Sequence, residues 1–219
     1  MARDSNSIVS AVIAHIPCKQ GDIAVKQFLD RLRDKDGQLP KELKGGRQVF
    51  LGNPMPNEDA CKKILFIEGL EAMNKHAPNL IWEFANDPKA LKHVTDVVKM
   101  YPHINFVLDH LGLVGNSGYD FNTWKQDIVN IASLRNVVAK IGAIEEWNVD
   151  DPQPYIQHAL KTFGYKRCMY ESNWFVNKAM GFMYDKTFKS IFQACNDLDA
   201  DFSQMDAVFR TNSMRIYNL

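Results

Sequence analysis

The chain has 219 residues, 46% of them apolar, with 26 lysines and arginines balanced by 26 aspartates and glutamates. That composition excludes a disordered chain, and the length suits a single domain over residues 1–219 with a sizeable core. Zero net charge without a long run of one sign argues against a general nucleic-acid binder.

Short apolar runs alternate with longer amphipathic ones. Ile8–Ile16 reads as a strand, too short and too interrupted for a membrane span and without a cleavage site. A helix over Asp22–Arg33 follows, with Ile23, Val25, Phe28, Leu29 and Leu32 at helical spacing. Gln48–Leu51 is the next strand, and Asn57 is expected to cap a helix running to His76. Leu80–Phe84 reads as a strand, followed by Asp87-Pro88, an N-cap with proline at the first helical position. Asn105–Asp109, Val137–Ile141 and Arg167–Tyr170 complete the strands. Asp120–Leu134, the segment from Asp151-Pro152 to Phe163, and Asp185–Leu198 complete the main helices, and Ser203-x-x-Asp206 resembles a capping box for a last one. Six βα units of this kind imply an α/β fold with a parallel sheet. The four cysteines (Cys18, Cys61, Cys168, Cys195) are widely spaced and form no CxxC pair, so they are expected to be reduced and at least partly buried in a soluble, cytoplasmic protein.

Two strand ends carry chemistry. The run Asn105-Phe-Val-Leu-Asp-His-Leu-Gly112 breaks from apolar into Asp109 and His110, and Arg167-Cys-Met-Tyr-Glu-Ser-Asn-Trp174 breaks into Glu171, Ser172 and Asn173. Parallel barrels build their active sites from such carboxyl ends. Strand alternation places His110 on one face with Leu108 and Phe106, and Asn173 with Glu171 and Met169. His110, Glu171 and Asn173 are the candidate catalytic residues. Glu83, Lys140, His15 and Trp174 are candidate substrate contacts. Each has a plainer reading: His110 orienting a loop, Lys140 and Glu171 forming a buried ion pair, Glu83 and His15 serving structure, Asn173 capping a turn. His76, His93, His103 and His158 lie on or beside helices, where solvated positions are the default.

At this point the residues resemble the amidohydrolase-related (amidohydrolase 2) family of TIM-barrel hydrolases, in its lactonase-like branch. Val107-Leu-Asp-His-Leu-Gly112 resembles a "VLDHLG" strand end, Glu171-Ser-Asn-Trp-Phe175 a "GSDWP" one, and Asn136-Val-Val-Ala-Lys-Ile-Gly142 a "NVYCKLSG" strand. Gly46-Arg47 is similar to a "GxR" strand start, and Asn212-Ser-Met-Arg-Ile-Tyr-Asn-Leu219 to a "NAxRxYxL" terminus. The resemblance implies an incomplete TIM-type (β/α) barrel that begins near the family's third strand. It implies a hydrolase acting on a small carboxylated or cyclic ester (lactone). The alternative is a catalytically degenerate member that binds a small molecule or protein partner without turnover; repurposed decarboxylation or isomerisation is more remote. Two departures stand out. The family's first-strand His-x-His is absent, and Asn173 stands where an aspartate accepts a proton from the attacking water, work an amide cannot do. A catalytic metal wants about three His or carboxylate ligands and an open position, whereas only His110, helped by Glu83 and Glu171, is well placed. No metal or other cofactor is expected, in keeping with metal-independent forms in the branch. With six strands where a closed barrel has eight, Ile8–Ile16 and Arg167–Tyr170 become apolar edges, and these are expected to meet in a homodimer. No nucleic-acid or membrane partner is expected.

Overall fold

A computed structural model describes residues 9–50, 58–114, 118–147, 149–183 and 185–219. Six parallel strands form one sheet in chain order: β1 (Val12–His15), β2 (Leu43–Phe50), β3 (Ile81–Asn86), β4 (Phe106–Leu108), β5 (Val137–Ile141) and β6 (Cys168–Tyr170). The order is sequential and, among the described residues, the sheet does not close, as expected of an incomplete (β/α) barrel. All six expected strands appear. The leading residue of Ile8–Ile16, the end of Gln48–Leu51 and the cap at Asn57 lie outside the described residues. β2 starts earlier than its apolar residues suggest. Gly45 and Gly46 carry no hydrophobic signal, yet a Cβ there would stand 2.6 Å from Ile81 and from Ile16.

Helices α1 (Gly21–Leu32), α2 (Ile64–His76), α3 (Leu91–Met100), α4 (Phe121–Ala132) and α5 (Gln153–Phe163) connect the strands. Their starts follow from local chemistry. Asp120 accepts from the backbone N–H groups of Asn122 and Thr123, and Asp87 from that of Lys89 before a 3-10 turn leads into α3. Past β6 come α6 (Trp174–Ala179), α7 (Asp185–Asp197), α8 (Phe202–Asp206), a π turn (Ala207–Thr211) and α9 (Asn212–Tyr217). The expected capping box is misplaced: Asp201 and Gln204 form it, each side chain accepting from the other's backbone N–H, and Ser203 lies inside the helix. The four cysteines are unpaired and buried. Among the described residues no helix is long and apolar enough to cross a membrane.

The sheet has an outer and an inner face. The outer face joins Trp82, Phe84, Phe106 and Leu108 to helical residues such as Phe66, Leu91 and Trp124 in the main core, with ring pairs Phe66–Trp82 at 5.4 Å and Phe84–Phe106 at 5.7 Å. A smaller inner cluster holds Ile81, Val107, Val138 and Met169, packed by Ile13 and by Ile216 and Tyr217 of the C-terminal segment. This corrects the expected facing at β4. Phe106 and Leu108 point to the helices, and Val107 points inward. His110 lies past the strand's end, where its backbone turns left-handed (φ 55°, ψ 27°), so strand alternation cannot be extended to it.

Candidate active site

Two positions beyond the inner apolar residues, four chain segments change to charged side chains. Ile81 is followed by Glu83, Val107 by Asp109, Val138 by Lys140 and Met169 by Glu171. Arg47 joins them from β2, where it pairs in register with Glu83. Lys140 Nζ is 2.7 Å from Glu83 Oε2, 3.1 Å from Asp109 Oδ1 and 3.9 Å from Glu171 Oε2. Arg47 Nη1 is 3.1 Å from Asp109 Oδ2 and 3.9 Å from Glu83 Oε2. Glu83 and Asp109 have no exposed side-chain surface. Burying such charges is tolerable because opposite charges meet at close range.

His110 and Glu171 form the other half. Glu171 Oε1 accepts the His110 backbone N–H at 3.0 Å and lies 2.5 Å from its Nδ1. Four successive residues make this turn with positive φ: His110 (55°), Leu111 (52°), Gly112 (73°) and Leu113 (51°). Buried Leu111 anchors it, its carbonyl accepting from the Trp124 indole N–H at 3.1 Å. Gly142 makes room for Glu171, since a Cβ there would fall 2.2 Å from Glu171 Cγ.

These contacts set the proton affinities. Burial and the nearby Asp109 push the Glu83 carboxyl up to about 7, against the opposing pull of Lys140 and Tyr217. Burial would also raise Glu171, but His110 and Lys140 outweigh it and bring it down to about 2. Burial would lower His110, yet the Glu171 carboxylate beside it leaves the imidazole raised. Lys140 is raised well above its ordinary value because three carboxylates outweigh its burial. Environments thus push Glu83 and Glu171 in opposite directions, a pattern typical of acid–base sites.

Of the residues singled out in the sequence, Glu83, His110, Lys140 and Glu171 come together. Asn173, two residues beyond Glu171, does not join them, nor does it cap α6 with its side chain. Its Nδ2 donates instead to Glu146 Oε1 at 2.5 Å and Asn177 Oδ1 at 3.0 Å. His15 and Trp174 take no part in the charged cluster. His15 is exposed, its Nε2 3.4 Å from the Gln48 amide nitrogen, and Trp174 opens α6 with Lys178 above its ring. Four contributors were not recognised as site residues. Asp109 stood in the quoted strand end without a role, and Arg47 only in a glycine-rich strand start. Tyr217 sits 134 residues from Glu83 yet donates to its Oε1 at 2.6 Å. Glu146 follows β5 in a 3-10 turn that no periodicity marks.

A divalent metal does not fit this set of donors. The Lys140 ammonium already stands among the three carboxylates, and Glu171 is engaged with His110. Among the described residues no group of three or more His, Cys, Asp or Glu side chains could hold an ion.

The model of the amidohydrolase family matches residues 72–219, more than half of the chain, and the chain belongs to that family. Protein y4mH of Sinorhizobium fredii is 23% identical over 135 residues, 59% of this chain and 44% of that protein. The chain thus spans less than half the length of this curated relative. A Burkholderia multivorans amidohydrolase crystallised with bound zinc superposes with a TM-score of 0.77 at 18% identity, covering 96% of this chain and 74% of that one. A putative 2-pyrone-4,6-dicarboxylic acid hydrolase from Pseudomonas putida gives a TM-score of 0.58 at 14% identity, covering 95% and 82%. At such identities the superpositions show the fold alone.

Proposed function

We propose that this chain hydrolyses small carboxylated esters, cyclic ones (lactones) included. The observation that carries this reading is Arg47. Its side chain is 39% exposed at the strand ends, and only Nη1 reaches carboxylates of the site. Among the described residues the rest of that planar fork has no partner, which suits it to bind a substrate carboxylate in bidentate fashion. The His110 imidazole, whose hold on its proton the Glu171 carboxylate strengthens, supplies a donor for the carbonyl oxygen as negative charge develops there. Lys140 is buried and committed to three carboxylates, so its part is to hold Glu83, Asp109 and Glu171 in place. Membership of the amidohydrolase family supports hydrolysis, and the dicarboxylic acid hydrolase among the fold relatives supports an anionic substrate.

The second reading, binding without turnover, is favoured by one observation: an amide, Asn173, where the resemblance expects an ionised aspartate. A panel of lactones and aryl esters, with and without a carboxylate, separates the two. Turnover is expected for carboxylated members, and His110→Ala is expected to lower it by about 10²-fold or more while circular dichroism stays unchanged. An inert wild-type protein would leave the binding reading standing, and wild-type rates in His110→Ala would remove the histidine from the mechanism.

A further inference from the structure

We infer that the water-activating carboxylate of this site is Glu146, held in place by Asn173; the inference rests on the hydrolase reading above. Glu171 is poorly suited to the task. One of its oxygens is taken by the His110 backbone N–H and imidazole and the other faces Lys140, so neither is presented to a water. Glu146 is differently placed. It lies on the loop after β5, partly exposed, and among the described residues its carboxylate is bound only by the Asn173 amide. Asn173 follows Glu171 by two residues, at most about 7 Å of chain. The Asn173 contact therefore ties the Glu146 carboxylate to the carboxyl end of β6, two residues beyond Glu171.

The Asn173 amide is itself fixed. Its nitrogen also donates to Asn177 Oδ1, and the nearly inaccessible Asn177 donates in turn to Glu145 Oε2 and the Ser172 carbonyl. Thr187 donates to the same Glu145 carboxylate, at 2.9 and 3.0 Å. Glu145 is consumed by this scaffold, and Glu146 is presented by it. The pairing is also exclusive. An aspartate at position 173 would set two carboxylates at the 2.5 Å now spanned by an N–H···O bond, and both could not ionise. Across this one contact the acid sits on the β5 loop and the amide follows β6.

In the reaction, Glu146 removes a proton from water as the water oxygen bonds to the ester carbonyl carbon. The carbonyl π pair moves onto oxygen, facing His110. As that pair returns, the C–O bond to the alcohol breaks, and the departing oxygen takes the proton from Glu146. Ester and water give acid and alcohol, and the carboxylate is regenerated.

The test is a four-variant cycle with the best carboxylated ester of the panel. Glu146→Gln is expected to lower kcat by about 10²- to 10⁴-fold with KM unchanged, the range of a lost general base. Asn173→Asp alone is expected to lower both kcat and the melting temperature. The double variant Glu146→Gln/Asn173→Asp restores an amide–carboxylate pair in the reverse order, and is expected to regain melting temperature and part of kcat. If Glu146→Gln fails to fold, Glu146→Asp supplies the readout, with kcat lowered and KM kept. Wild-type kcat in the Glu146 variant, with His110→Ala dead, would overturn this inference and leave the hydrolase reading intact. A double variant no better than Asn173→Asp in melting temperature would refute the dependence of this contact on one amide and one carboxylate. A wild-type chain inert across the panel would overturn both.

Discussion

The inner face of the sheet has two levels that differ completely in chemistry while sharing the same chain segments. The lower level, Ile81, Val107, Val138 and Met169, is apolar and packs against Ile13, Ile216 and Tyr217. The upper level, Glu83, Asp109, Lys140 and Glu171, is charged and closed by Arg47 and His110. Each upper residue follows its lower counterpart by two positions, one full period of a strand. The lower level tolerates burial because it has nothing to satisfy. The upper tolerates it only as a set, because each ion is neutralised by another.

Turning the upper position of β5 into a lower one is the strongest way to break that contrast. Lys140→Met keeps the bulk and removes the shared cation, and is expected to cost about 3–5 kcal/mol in urea denaturation, the penalty for uncompensated buried charge. A loss under about 1 kcal/mol would show that the carboxylates do not depend on Lys140. The next largest effect falls on the residue joining the levels. Tyr217 packs with the lower residues and donates to Glu83 Oε1. Tyr217→Phe leaves the ring and removes the donor, with an expected loss of about 2 kcal/mol, in the range of hydrogen bonds to charged groups; an unchanged urea midpoint would mean that Glu83 does not rely on it.

A third comparison sharpens the contrast by pH. Glu83 has a folded value of about 7 against an ordinary 4.5, so the folded state holds this proton more tightly than the unfolded. Its contribution is fully present below 4.5 and is lost as pH rises towards 7. Glu171 has the opposite sign: its contribution is present above 4.5 and is lost as pH falls towards about 2. Glu83→Gln imitates the protonated carboxyl. The stability difference between this variant and wild type should therefore shift in the variant's favour between pH 5 and pH 8. Parallel stability curves would show that Glu83 does not titrate there.

How much of this was legible depended on what each residue answers to. Strands β3, β4 and β5 announce themselves because both faces are covered, which demands continuous apolar runs. Helix starts were readable at Asp87 and Asp120, where one aspartate satisfies local backbone groups, but not at Asp201, where Ser203 and Asp206 offered a competing cap two residues on. The β2 start was not, because Gly45 and Gly46 are chosen for the space their neighbours occupy. In the site, Glu83, Lys140 and Glu171 could be gathered from sequence because a polar residue at the end of an apolar strand has few other reasons to be there. Asp109 was passed over because the facing was carried one residue too far, past the point where the chain leaves β geometry. Tyr217 and Glu146 depend on contacts between segments that no local pattern encodes.

The left-handed run from His110 to Leu113 has a consequence for how such a chain can drift. Outside glycine, each left-handed residue carries a conformational penalty of roughly 1–2 kcal/mol, and β-branched side chains fare worst. Leu111 and Leu113 are buried as well, so a glycine that relieved the backbone would forfeit the packing. Few amino acids meet both demands at once. Steric permission, quite apart from chemistry, thus narrows the spellings open to this turn, and a short peptide there can stay recognisable while the helices around it are freely rewritten.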